Sequence, residues 1–187
     1  KNGQTSWQTL MYVHRKVLWK CSTVLSVQAV YTCLTVENII EFAEAVELSE
    51  VEDLLSRQIE CNTAISHEGL TNPWGACIGQ TLMAVAGDNI MNRAKARAAA
   101  GSDARMNGCA MPVVILSGSG NQGMTASLPV IVYAKEMGVS HEELLRALVV
   151  SNLVTVRLKT GIGALSAYCG ATSAGCGAAA GVTYLHG

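Results

Sequence analysis

Between Gly161 and Leu185 the chain carries no charged side chain, and its residues are mainly Gly, Ala, Ser and Thr. The large aliphatic residues in that stretch are Ile162, Leu165, Val182 and Leu185. A stretch this long could span a bilayer, but so few large apolar side chains insert weakly. Small residues instead let helix backbones approach closely, so the preferred reading is a helix buried inside a helical domain. A membrane hairpin is the minority reading, and partition between membrane and soluble fractions separates the two. Composition agrees with a core-rich chain: 50% of the 187 residues are hydrophobic, 14% are charged and the net charge is −1. Soluble domains average about 25% charged residues, so the balance argues against disorder, a polyanion-binding surface and nucleic acid as a partner. It fits one domain with a sizeable core, or a piece of something larger.

The seven cysteines, Cys21, Cys33, Cys61, Cys77, Cys109, Cys169 and Cys176, are odd in number and form no Cys-x-x-Cys pair. No signal peptide with a cleavage site opens the chain. A secreted disulfide framework is therefore disfavoured and a reducing cytoplasm expected. Most of the thiols are expected to be buried and structural, because free cysteine packs as a small hydrophobe. Zinc-finger spacing is absent, so any metal ligands must come from distant parts of the chain.

Charge divides the chain near Glu37: residues 1–36 are basic with no acid, whereas residues 37–60 hold eight acids and only Arg57. The organisation expected is a basic N-terminal segment over 1–36 and a domain over 37–187. From Glu37 to Arg57 apolar residues recur at helical spacing, which predicts an amphipathic helix broken near Ser49. Glu68-Gly69 and Thr71-Asn72-Pro73 read as a loop that contains His67, followed by a buried helix over Trp74 to Ala86. Another helix is expected over Asn89 to Ala100, stopped by Gly101. Ser140 and Glu143 form a capping box at the start of a further helix.

The local chemistry concentrates in Ser117-Gly118-Ser119-Gly120-Asn121-Gln122-Gly123, which follows the apolar run Met111 to Leu116. Gly118, Gly120 and Gly123 satisfy the dinucleotide-binding glycine pattern, but no series of short strands alternating with helices accompanies them. Gly118 to Thr125 also approaches a phosphate-binding loop, with Met124 where its lysine should stand. Two readings need no nucleotide. In one, the uncovered backbone N–H groups and short polar side chains form a nest for a small carboxylate. In the other, the segment is a tight turn joining two buried segments. Asp103 and Arg105, just upstream, add a charge pair near the loop or an ordinary helix-end ion pair.

Taken together, Ser102-Asp103-Ala104-Arg105-Met106, the Ser117 to Gly123 loop, and Leu165-Ser166-Ala167-Tyr168-Cys169 with its Ala/Gly-rich tail resemble the L-cysteine desulfidase family. That family is related to the alpha domain of iron-sulfur L-serine dehydratases. The resemblance runs from about Glu37 to Gly187, and the ordered set of motifs is more specific than any one of them. It implies an all-α, serine dehydratase alpha-like catalytic domain, present in part, with a buried Gly/Ala-rich helix. It implies a lyase that converts L-cysteine to pyruvate, ammonia and sulfide with a [4Fe-4S] cluster, one iron of which is open to substrate. Such an iron acts as a Lewis acid on the leaving group while a base removes the α-proton.

By the same resemblance three cysteines hold the cluster; Cys169 matches the first, and the other two would fall beyond Gly187. Cys176 follows Cys169 by seven residues, about 10.5 Å of rise on a continuous helix. That is wide for two ligands of one compact cluster, so Cys176 is read as structural. Cys21-Ser22-Thr23 is the nearest echo of the family's Gly-Cys-Thr-Glu-Pro segment, and no catalytic role is assigned to Cys21. Ser117, Gly118, Ser119, Gly120, Asn121, Gln122 and Gly123, with Asp103 and Arg105, are the expected substrate-binding residues. The expected partners are a small amino-acid substrate and either a second copy or a complementary chain. The 187 residues alone are expected to be inactive. The alternatives are an L-serine ammonia-lyase of the same fold and a non-enzymatic helical module that binds a small anion.

Overall fold

A computed structural model describes residues 33–162 and 170–187. Among them are seven α-helices and one 3-10 turn, with no β-strand, as an all-α domain requires. We number the helices α1 (Val36–Ala45), α2 (Glu52–Thr71), α3 (Ile78–Ala86), α4 (Ile90–Met106), α5 (Gly120–Met137), α6 (His141–Ile162) and α7 (Gly170–Leu185). α5 lies at the centre, in contact with α2, α4, α6 and α7.

The acidic amphipathic stretch forms two helices separated by a 3-10 turn over Leu48–Glu50, which places the break where Ser49 suggested it. Thr35 caps α1 by accepting from the Asn38 N–H at 3.2 Å. Ile39 and Ala43 of α1 face inward, onto the core that α6 supplies with Leu145 and Leu148. The capping box is present: Glu143 Oε2 accepts from the Ser140 N–H at 2.8 Å, and Ser140 Oγ accepts from the Glu143 N–H at 3.2 Å.

Three local expectations are corrected. α2 continues through Glu68 and Gly69 to Thr71 and carries His67 on its exposed side, so no loop begins there. The next helix starts at Ile78 rather than Trp74, and only Gly79 of it is buried. α4 does not stop at Gly101: it runs to Met106, because a hydrogen-only side chain lets Met124 of α5 pack on the helix. A Cβ on Gly101 would stand 2.7 Å from the Met124 sulfur. That contact offsets the loss of helix propensity at glycine, about 1 kcal/mol relative to alanine.

The uncharged segment enters the domain as expected over its described part. α7 is a continuous helix from Gly170 to Leu185, held between α5 and α6. No helix among the described residues is long and apolar enough to cross a membrane.

Candidate functional site

The segment linking α4 to α5 reverses direction over two residues. Leu116 and Ser119 exchange backbone hydrogen bonds, at 3.1 Å and 3.0 Å. Ser117 and Gly118 between them have φ of +49° and +84°. Two positive φ values at the centre of a two-residue loop are the signature of a type I′ turn. Of the two readings left open for the glycine segment, a tight turn accounts for Leu116 to Ser119, and the start of α5 accounts for the rest.

This geometry is held from outside. The Asn62 side chain of α2 accepts from the Val114 N–H at 2.9 Å, and its amide donates to Ser127 Oγ of α5 at 3.1 Å. Ser127 donates in turn to the Gly123 carbonyl at 2.8 Å. Val114 is thereby pressed onto α5 so closely that a Cβ on Gly123 would overlap the Val114 carbonyl.

α5 begins at Gly120 behind Ser119, whose side chain makes no capping hydrogen bond, and no acid stands in its first turn. The first N–H groups of an 18-residue helix and the positive end of its dipole are thus left without a side-chain acceptor. Arg105 supplies a cation at the same place. Its Nη1 donates to Asn121 Oδ1 at 3.1 Å, and a Cβ on Gly120 would lie 2.5 Å from its Nε. Among the described ion pairs none involves Arg105.

Asp103 does not join it. Its Oδ2 accepts from the Ile78 N–H at 2.7 Å and caps α3. The expected Asp103–Arg105 charge pair is absent for a geometric reason: residues two apart on a helix do not share a face. Asn121 is partly exposed beside Arg105, whereas Gln122 and Gly123 are buried.

With that arrangement defined, sequence comparison places the chain. The profile of the serine dehydratase alpha chain family matches residues 5–187. The chain belongs to that family. It is 57% identical over 157 residues to a UPF0597 protein of Lachnoclostridium phytofermentans, covering 84% of this chain and 38% of that relative. A UPF0597 protein of Desulfitobacterium hafniense is 59% identical over 154 residues, 82% of this chain and 36% of the relative. One from Finegoldia magna is 53% identical over 155 residues, 83% and 37% respectively. The chain thus spans little more than a third of the length of these curated relatives. No solved structure matches it.

An iron-sulfur cluster needs cysteine thiolates gathered at one place. Among the described residues no three His, Cys, Asp or Glu side chains come together in that way. Cys33, Cys61, Cys77 and Cys109 are half-buried and dispersed, and Cys176 is exposed on α7. The expectation of mostly buried thiols is therefore corrected for these five. Cys169 and Cys21 lie outside the described residues. The described residues do not complete a cluster ligand set.

Sequence reading missed three groups. Asn62, wholly buried in α2, organises the approach to the turn. Ser173 of α7 is buried, and its hydroxyl has no partner among the described residues. Gln58 and Asn152 pair their side-chain amides reciprocally, at 3.2 Å and 2.9 Å, in the wall of an apolar cavity that Leu55, Leu116 and Leu153 also line. An interior asparagine in an acidic amphipathic helix was the one available signal for Asn62.

Proposed function

We propose that this chain is part of a lyase that removes sulfide from L-cysteine, giving pyruvate and ammonia. L-serine, which loses water in the same way, is the alternative substrate. One observation carries the reading of the site: a guanidinium without a carboxylate partner among the described residues lies against the uncapped first turn of α5. Arg105 and the α5 N–H groups would together hold the substrate's carboxylate, since a helix N-terminus and a guanidinium both favour an anion. Asn121 would fix the guanidinium, to which its Oδ1 is already hydrogen-bonded.

The tight turn would limit the space beside that carboxylate and so favour a small amino acid. Membership of the family supports the lyase reaction class. Cys169 is proposed as one ligand of a [4Fe-4S] cluster, which when bound would supply Lewis-acid chemistry at the leaving group. No residue is assigned as the base.

Two experiments test the reading. Titration of the chain with L-serine or L-cysteine should detect binding that Arg105→Gln weakens about tenfold, the effect of losing one charge-assisted hydrogen bond. Unchanged affinity would remove Arg105 from the site. Anaerobic reconstitution with iron and sulfide, on a chain extended to the length of its relatives, should give iron-sulfur absorbance and sulfide release from L-cysteine. Both should be lost in Cys169→Ser. Ligand binding that survives chelators and air, with no absorbance after reconstitution, would favour a non-enzymatic anion-binding module.

A further inference from the structure

α7 meets α5 and α6 along one stripe of small residues. Gly170 lies against the Gln122 side chain of α5, Gly177 against Thr155 and Ser151 of α6, and Gly181 against Val130 and Ala147. Ser173 follows Gly170 by three residues and precedes Gly177 by four, the two spacings that share a helix face. It therefore belongs to the same seam. Ser173 is 3% exposed and Gln122 is 7% exposed, yet neither Ser173 Oγ nor Gln122 Oε1 has a hydrogen-bond partner among the described residues. Further along the seam the polar groups are satisfied: Ser151 donates to the Ala126 carbonyl at 2.7 Å, and Thr155 to the Ser151 carbonyl at 2.8 Å. Buried polar side chains are nearly always paired, so two orphans on facing helices, Gln122 against Gly170 of α7 and Ser173 less than one turn beyond that glycine, call for a partner.

Gln122 is also in the first turn of α5, two residues after the Gly120 on which Arg105 rests. That turn thus has donors for an anion on the α4 side and a bare acceptor on the α7 side. We propose that Gln122 Oε1 and Ser173 Oγ receive the α-ammonium of a small amino acid whose carboxylate is held by Arg105 and the α5 N-terminus. This rests on the carboxylate reading given above. An ammonium offers three donors and no acceptor, which suits the Gln122 amide oxygen, an acceptor only, and the Ser173 hydroxyl oxygen, which can accept as well as donate. Its charge is balanced by the ligand's own carboxylate, so neutral acceptors suffice and no buried acid is needed.

The test is calorimetric titration of the full chain with L-serine and with L-glycerate, in which a hydroxyl replaces the ammonium. L-serine should bind about tenfold more tightly than L-glycerate, the effect of one charged hydrogen bond. Gln122→Leu and Ser173→Ala should each reduce L-serine toward the L-glycerate affinity while leaving L-glycerate itself unchanged. Gln122→Glu, which keeps an acceptor, should retain the preference for L-serine. Equal affinity for the two ligands in the unmodified chain overturns this proposal and leaves the carboxylate reading standing, whereas binding of neither overturns both. If Gln122→Leu fails to fold, Ser173→Ala decides, because it removes a single atom.

Discussion

Ser117 sits at φ +49°, a region that a residue with a Cβ enters at a cost of about 1–2 kcal/mol. Ser117→Gly should therefore raise the stability of the domain by up to about 1 kcal/mol in urea unfolding. No gain would mean that the serine side chain compensates locally. Asn62→Ala should act in the opposite direction. It removes the acceptor of the Val114 N–H and the donor to Ser127 together, and a polar group left unsatisfied costs about 1–3 kcal/mol. The glycine pattern announced a special backbone between residues 117 and 123. It did not announce which residue would take positive φ, because serine carries no such signature. Nor could it separate Asp103 from Arg105: both are polar, both belong to the same motif, and only the helical phase of α4 sends one to α3 and the other to α5.

At the scale of elements, helix starts were more legible than helix ends. The Ser140–Glu143 box is a local pattern, and it forms as written. Hydrogen bonds from the Ser140 hydroxyl and backbone N–H hold the Glu143 carboxyl below its ordinary range. A folded pKa below the unfolded one contributes stability that is complete above the unfolded value and disappears as pH falls through the folded one. Ser140→Ala should accordingly lower the melting temperature at neutral pH and lower it less in acid, a difference that calorimetry at the two pH values can measure. The ends of α2 and α4 were misread because Gly69 and Gly101 look like stops. In the folded chain both are buried where helices touch: a Cβ on Gly69 would overlap the Ala100 carbonyl. Tertiary packing outweighed propensity there. α3 was misread for another reason: its apolar sequence suggested burial, yet Val85 is 82% exposed and Ile78 is 51% exposed.

For the whole molecule, the uncharged segment was the strongest indication of architecture, and α7 shows why. Its glycines let it lie against α5 and α6 at once, so one added methyl should be felt across the bundle. Gly177→Ala places a Cβ on the Thr155 hydroxyl and 2.5 Å from the Ser151 carbonyl. Overpacking of this kind costs about 1–3 kcal/mol. For a domain of this size the melting temperature should fall by about 2–4 °C for each kcal/mol. A variant that melts with the parent would show that α6 and α7 can separate freely. The same segment held the limit of what sequence could assign, since Cys169 acquires a role only beside other ligands and no three candidate ligands come together among the described residues.

The Asn62 link also bears on the order of assembly. The Val114 amide hydrogen is held by a side chain 52 positions earlier in the chain, and that side chain is tied in turn to α5. No contact within the turn protects this hydrogen, so its exchange with deuterated solvent should require α2 and α5 to come apart. Exchange at Val114 should then track the opening of that helix pair rather than the fraying of a loop. The turn closes through its own Leu116–Ser119 hydrogen bonds, whereas the segment leading into it is placed by long-range docking and should be among the last parts of the molecule to become fixed.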